Sequence, residues 1–450
     1  MGVEMLKGKV GLVGYGISNR QLLKTSLEAG IHDDFFVSDN RVMPDDFRNQ
    51  LREHNVEFED GGHTSRLLDC DMFVVSPGVS PVSETGKMLL STEKRITTEL
   101  EISLDILHQS GRRLAIGITG TNGKSTTVTM LGHIMASTGI KSYTGGNLGN
   151  PLISGLDDDT RIFVVEVSSF QLKWFNFESS YFHLSAITNI AQDHLDFHGT
   201  LEDYVSSKLR ITRLTEGYSL IPEDIKDLYS LAIEPVKQRV LGFSKETSFA
   251  EIRGKLLRIH KLEIPVDNRF LLHNHIAQNY LVAVTLAHLA GVSVDDATEK
   301  IANYAFLEHR MQSAGSVEGT VFINDSKATN AHAVLAALRS LPADRTTIIL
   351  SGREKKESYE ELIEELRRVK SIVVLGEEMK ALRKALKCAE LNYLEAPTME
   401  DAVLMAMRSS TQGDYVLLSP GGSSYDLYSN YAERGQHFTS VVQGLARRQK

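Results

Sequence analysis

Leu114-Ala-Ile-Gly-Ile118 leads through Thr119 into Gly120-Thr-Asn-Gly-Lys-Ser-Thr126, and a helical pattern follows. An apolar run that ends in a glycine-rich turn and then a helix is the construction of a phosphate-binding loop. The glycines expose backbone N–H groups, and the helix adds the positive end of its dipole. Lys124 is placed to reach the outer phosphates of a nucleoside triphosphate, and Ser125 or Thr126 to bind magnesium. The spacing between Gly120 and Gly123 is shorter than in the general G-x-x-x-x-G-K-[ST] pattern. An ordinary strand–helix turn carrying a lysine would look similar, but strand, loop and helix together favour a triphosphate site.

Further apolar runs repeat this design on both sides. Ile162-Phe-Val-Val165 ends in Glu166, a carboxylate suited to magnesium directly or through water. Leu184-Ser-Ala-Ile187 precedes Asn189 and Asp193-His194-Leu-Asp196. His194 suits a metal or a substrate, and either aspartate could cap the helix expected near Leu201. Toward the N-terminus, Val10–Val13, Phe35–Val37 and Met72–Val75 each end in small polar residues. Gly14-Tyr-Gly16 resembles a dinucleotide fingerprint, with Asn19 in place of its third glycine and Asp39 at the distance of a ribose contact. Toward the C-terminus, strand-like runs at Thr320–Ile323, Thr346–Leu350, Ile372–Leu375 and Tyr415–Leu418 lead into polar turns. Asn324-Asp-Ser-Lys-Ala-Thr-Asn330 is denser in function than a turn requires, and Ser424 stands at a strand end where an anion could bind. Glu354-Lys355-Lys356-Glu357 is by default a solvated face, and its place at a strand end leaves Lys355 as a candidate anion ligand.

Buried runs alternating with helical patterns predict an α/β chain of parallel sheets. A length of 450 residues exceeds one ordinary core. The net charge of −9 argues against a general nucleic-acid binder. Only two cysteines occur, Cys70 and Cys388, far apart in sequence, so no disulfide framework is expected, and no metal-spaced cysteine cluster occurs. No signal-peptide pattern and no apolar run approaching the roughly 20 residues of a membrane span is seen, so a cytoplasmic protein is expected.

Taken in order, Gly120–Thr126, Glu166-Val-Ser-Ser-Phe-Gln171, Asp193-His-Leu-Asp196, His309-Arg310, Asn324–Asn330, Ser419-Pro420, Ser424-Tyr-Asp426 and Arg434-Gly435 resemble the Mur ligase family nearly end to end. No single motif is specific; the ordered set is. The resemblance implies a Rossmann-like N-terminal sheet binding a UDP-linked substrate (1–97), a central P-loop ATPase-type sheet binding ATP (98–307) and a Rossmann-like C-terminal sheet binding the amino acid (308–450).

By position, the resemblance places Ser18, Asn40 and Ser76 on the UDP portion, and Asn147 and His194 on the muramoyl-alanine portion or its metal. Gly120, Thr121, Asn122, Gly123, Lys124, Ser125 and Thr126 fall on the phosphates. Asn279 falls on adenine, Arg310 on phosphate and Asp325 on ribose. Lys327, Thr329, Lys355, Ser424 and Tyr431 fall where the family binds D-glutamate. Ser125, Glu166, His194 and Lys208 are the implied metal set, with two Mg2+ ions and Mn2+ as a substitute. Lys208 matches a lysine the family carries as a carbamate; the sequence alone favours a helix-surface lysine pairing with Asp203 or Glu202. The chain departs from the family pattern at Ile276, at Ser351-Gly352-Arg353 and at Tyr431.

The implied activity is ATP-dependent addition of D-glutamate to UDP-N-acetylmuramoyl-L-alanine through an acyl phosphate, by a monomer, in peptidoglycan precursor synthesis. Lys124, Glu166, His194 and Lys208 are the expected catalytic residues. A sister ligase with another amino acid, a folylpolyglutamate-like ligase, a nicotinamide dehydrogenase and a nucleotide-dependent switch are the competing readings. The dehydrogenase leaves the second phosphate loop and Glu166 without a role.

Overall fold

The structure, a computed structural model, describes residues 6–111, 113–157, 159–175, 180–229, 234–246, 248–271, 274–354 and 358–448. Two compact units are present. One comprises Met1–Ile190, Phe197–Asp267 and Gln278–Tyr304; the other comprises Ala191–Asp196, Asn268–Ala277 and Ala305–Lys450.

The first unit holds two sheets. β1 (Val10–Val13), β2 (Phe35–Asp39), β3 (Glu57–Asp60), β4 (Met72–Val75) and β5 (Arg95–Thr97) form a sheet in the order β3-β2-β1-β4-β5. All its pairs are parallel, with Val10 opposite Phe35 and Met72. β1 and β4 are buried on both faces, which is why they read as unbroken apolar runs.

The second sheet contains β6 (Leu114–Thr119), β7 (Ser142–Gly146), β8 (Ile162–Glu166), β9 (Phe182–Ile187), β10 (Thr215–Pro222), β11 (Val240–Phe243), β12 (Ala250–Arg253), β13 (Leu256–Ile259) and β14 (Leu262–Pro265). Their order is β14-β13-β12-β11-β10-β9-β6-β8-β7. The sheet is parallel from β7 to β12 and antiparallel across β12, β13 and β14. β6 lies between β8 and β9, so the segments leaving these three strands meet at one sheet edge. That edge, at the carboxyl ends, is where an open α/β sheet binds ligands.

In the second unit, β15 (Gln312–Val317), β16 (Thr320–Asn324), β17 (Thr346–Ser351), β18 (Ser371–Leu375), β19 (Leu394–Ala396) and β20 (Tyr415–Gly421) run in the order β15-β16-β20-β17-β18-β19. Among the described strand pairs of this sheet, only the β15–β16 hairpin is antiparallel. Ile348, Leu350, Val374 and Leu417 form its fully buried centre. The helix predicted from His273 is described from Asn274 to Leu289; His273 lies outside the described residues.

Candidate active site

Gly120 to Thr126 leaves the end of β6 and enters the helix Lys124–Ala136. Gly120 has φ +146° and Gly123 φ +81°, conformations that admit glycine without strain. Thr121 N donates to Asn189 O (2.9 Å), Asn122 N to Asn189 Oδ1 (3.0 Å), and Asn189 Nδ2 to Asn122 O (2.9 Å). Thr188 Oγ1 also donates to Asn122 O at 2.6 Å. The end of β9 therefore fixes the loop at three of its backbone groups. From sequence, Asn189 is named without a role and Thr188 is not named. Their position just past an apolar strand was the available signal.

Lys124 Nζ donates to Gly120 O and Thr121 O, both at 2.9 Å. Lys208 Nζ donates to the same Gly120 carbonyl at 2.7 Å and lies 4.5 Å above the Tyr204 ring. Tyr204 OH and Thr121 Oγ1 are hydrogen-bonded at 2.9 Å. Lys208 is 2% exposed, so the surface-lysine expectation is wrong. Its helix, Leu201–Arg213, turns this face inward, and Asp203 bonds Lys173 and His198 instead. The cap of that helix is also corrected: Thr200 accepts from Asp203 N, while Asp193 and Asp196 do not cap it.

Glu166 ends β8, one strand from the loop, and is 3% exposed. Its Oε1 accepts from Asn147 Nδ2 at 3.0 Å, and its carbonyl accepts from Asn147 N at 2.9 Å. Ser125 and Thr126 are buried in the first turn of the loop helix. Asn279 is buried against the loop as well: its Oδ1 accepts from Thr127 Oγ1 at 3.3 Å, and a side chain at Gly123 would collide with it. Ile276, at the departure noted above, is 5% exposed and apolar.

At the first sheet, Ser76 Oγ donates to Gly14 O at 2.8 Å. Ser18 is half-buried at the start of the helix Ile17–Glu28, and Asn40 is exposed beyond β2. Asn19 replaces the fingerprint glycine for a structural reason: its Nδ2 donates to Gly14 O, Val13 O and Val74 O, stitching β1 to β4. Asp39 accepts from Tyr15 N (2.6 Å) and Arg41 N (2.8 Å), so it organises the turn around Gly14-Tyr-Gly16.

The second unit gathers another set. Asp325 is 8% exposed and accepts from Ser419 Oγ (2.9 Å) and Met311 N (3.2 Å). Burial pushes its carboxyl up to about 7, opposed by those bonds and by the Arg310 charge. Lys327 Nζ donates to Tyr431 OH at 3.2 Å and lies 4.7 Å above that ring. Thr329 is half-buried and Ser424 buried. Arg434, 1% exposed, ties these segments together by donating to Ser326 Oγ, Ser326 O and Gly422 O. His194 sits at φ +54° with its N–H on Asp193 Oδ1 (2.8 Å), while Asp193 Oδ2 accepts from Asn330 Nδ2 (3.0 Å). Lys355 lies outside the described residues.

Residues 9–85 match the MurD N-terminal domain family, 118–287 the Mur ligase middle domain and 309–422 the Mur ligase glutamate ligase domain. The UDP-N-acetylmuramoylalanine–D-glutamate ligase of Thermotoga maritima is 36% identical over 439 residues, covering 96% of this chain and 98% of that protein. The chain belongs to the Mur ligase family. The same-named ligase of Petrotoga mobilis is 33% identical over 442 residues, covering 97% of this chain and 99% of that protein. Among solved structures, UDP-N-acetylmuramate-alanine ligase MurC of Thermotoga maritima has a TM-score of 0.60 at 17% identity, covering 97% of this chain and 100% of that one. MurF ligase from the same organism, in complex with ADP, has a TM-score of 0.62 at 14% identity, covering 99% and 97%. These two show that the fold is that of a Mur ligase.

A magnesium ion carried on a triphosphate fits this Mur ligase's donor set. Among the described residues no group of three or more His, Cys, Asp or Glu side chains could hold a metal by itself. Glu166 and Ser125 offer one carboxylate and one hydroxyl, both hard oxygen donors. Magnesium takes its remaining ligands from phosphate and water in such sites. No helix among the described residues is long and apolar enough to cross a membrane.

Proposed function

We propose that this Mur ligase joins D-glutamate to UDP-N-acetylmuramoyl-L-alanine at the expense of ATP, as a cytoplasmic monomer in peptidoglycan precursor synthesis. The observation that carries the reading is the convergence of Lys124 and Lys208 on the Gly120 carbonyl. Glu166 adds to it from the strand beside the loop. In this reading residues 1–97 bind the UDP moiety through Ser18, Asn40 and Ser76. Residues 98–307 bind ATP, and 308–450 bind the amino acid through Lys327, Thr329, Lys355, Ser424 and Tyr431. Asn147 and His194 face the muramoyl-alanine portion.

The substrate carboxylate attacks the γ-phosphorus of ATP, giving an acyl phosphate and ADP. The amine of D-glutamate then attacks the acyl carbon, and phosphate leaves from the tetrahedral intermediate. Lys124 and the loop N–H groups meet the charge that develops on the transferring phosphoryl group. Asn147 holds Glu166 in place, and Asn279 keeps the loop in its glycine-dependent shape. Asp325 receives the ribose hydroxyls, with Arg310 beside it for phosphate. Magnesium, held through Ser125 and Glu166, supplies further charge neutralisation when bound, and Mn2+ can substitute. Lys208 is read as a carbamate, an anion that would hold a second ion, and His194 is read as a metal ligand.

Phosphate release from ATP and UDP-N-acetylmuramoyl-L-alanine, with each candidate amino acid in turn, tests this. D-glutamate is expected to be required. Equal release with L-alanine or a diamino acid, or release that ignores the amino acid, would refute the assignment.

A further inference from the structure

Three side chains beside the phosphate loop form a chain of hydrogen bonds, buried at Ser169 and His198 and half-buried at Asp203, that the proposed chemistry does not use. His198 Nδ1 lies 3.0 Å from Asp203 Oδ2, and its Nε2 lies 3.0 Å from Ser169 Oγ. The carboxylate facing Nδ1 fixes the proton there. Nδ1–H therefore donates to Asp203, and Nε2 accepts from the Ser169 hydroxyl. Burial holds the imidazole below its ordinary range, opposed by Asp203. Asp203 is further held by an ion pair with Lys173.

The arrangement has the order of a hydrolytic triad, but its burial excludes that use. Ser169 is 3% exposed and His198 4%, so no substrate carbonyl can reach the hydroxyl. Phe170 and Phe197 stack at 3.9 Å, and both rings pack against His198. What the chain does join is two helices. Ser169 opens the helix Ser169–Trp174, three residues after Glu166. Asp203 lies in the first turn of Leu201–Arg213, which carries Tyr204 and Lys208. The Tyr204 ring meets His198 edge-on at 5.2 Å, while its hydroxyl reaches Thr121.

We infer that His198 is a positioning residue for phosphoryl transfer, clamping the helix Leu201–Arg213 to the helix Ser169–Trp174 so that Tyr204 and Lys208 stay seated on the phosphate loop. The inference rests on the ligase reading above. His198 touches no reacting atom; it acts through Lys208 and Tyr204. A shift of the helix by about 1 Å is enough to cost about 100-fold in rate.

The test is steady-state kinetics on full-length His198→Ala, His198→Asn and Ser169→Ala, with a double-mutant cycle against Lys208→Ala. His198→Ala is expected to lower kcat by about 10- to 100-fold and raise the KM for ATP, leaving the KM for D-glutamate unchanged. His198→Asn, which keeps a donor to Asp203, should recover part of the loss. In the Lys208→Ala background, adding His198→Ala should cost little more. Full kcat in His198→Ala, a proportional rise in the KM for D-glutamate, or full additivity with Lys208→Ala would overturn the inference. If His198→Ala does not fold, Ser169→Ala carries the same test: a smaller loss in the same parameters supports the clamp, and wild-type kinetics refutes it. Failure of the wild-type enzyme to need D-glutamate would instead overturn the ligase reading, so the two failures are distinguishable.

Discussion

A methyl group at Gly120 would fall inside the contact distance of Thr188 Oγ1, with the backbone nitrogens of Thr188 and Asn189 at 3.1 and 3.2 Å. Thr188 cannot turn away freely, because its hydroxyl donates to Asn122 O and its N–H to Thr119 O. The backbone at Gly120 has φ +146°, which an alanine holds only at a cost of about 1–3 kcal/mol. Crowding a packed site adds about 1–3 kcal/mol. Together, about 2–6 kcal/mol would be set against the loop conformation in which both lysines meet the Gly120 carbonyl. At about 1.4 kcal/mol per tenfold, Gly120→Ala should lower kcat/KM for ATP by about 30-fold to about 20,000-fold. The assay is phosphate release with saturating UDP-N-acetylmuramoyl-L-alanine and D-glutamate, beside a thermal melt showing that the fold persists. A kcat/KM for ATP within threefold of wild type would refute the account of the loop.

Lys124→Ala should reduce turnover by about 100- to 1,000-fold or more, as loss of a transition-state donor does; near-normal turnover would remove Lys124 from the chemistry. Removing divalent metal with a chelator should stop phosphate release and adding back Mg2+ should restore it, whereas metal-independent turnover would contradict the role of Glu166. Because Asp325 titrates at about 7 when folded, against an ordinary 3.8, the folded chain keeps a proton that the unfolded chain loses. The stabilisation from that proton is full below about pH 4 and is lost as pH rises through about 7. Asp325→Asn, uncharged throughout, should therefore lose less melting temperature across that window than the wild type does. Equal slopes would show that Asp325 is not the group responsible.

The strands that organise the site were readable because both their faces are buried. Val10–Val13, Met72–Val75 and Ile162–Glu166 present no polar face to confuse the pattern. The short strands Ala250–Arg253, Leu256–Ile259 and Leu262–Pro265 were missed, since half-exposed residues interrupt their apolar character. Within the site, the glycines and Lys124 announced the loop because few other structures need them. Asn189 gave no such sign: its partner Asn122 is 67 residues away in sequence. Lys208 and Asp203 share one helix but stand five residues apart, beyond the i,i+4 spacing of a surface ion pair. Only packing decides that one turns inward to Gly120 while the other meets His198.

The antiparallel end of the central sheet offers a practical opening. Gly254 and Lys255, both exposed, form the tip between β12 and β13. Four strand steps separate β12 from β6, roughly 19 Å at about 4.8 Å per step. A fluorophore or an inserted epitope at that tip would report on the molecule from a distance, without entering the chemistry at Gly120.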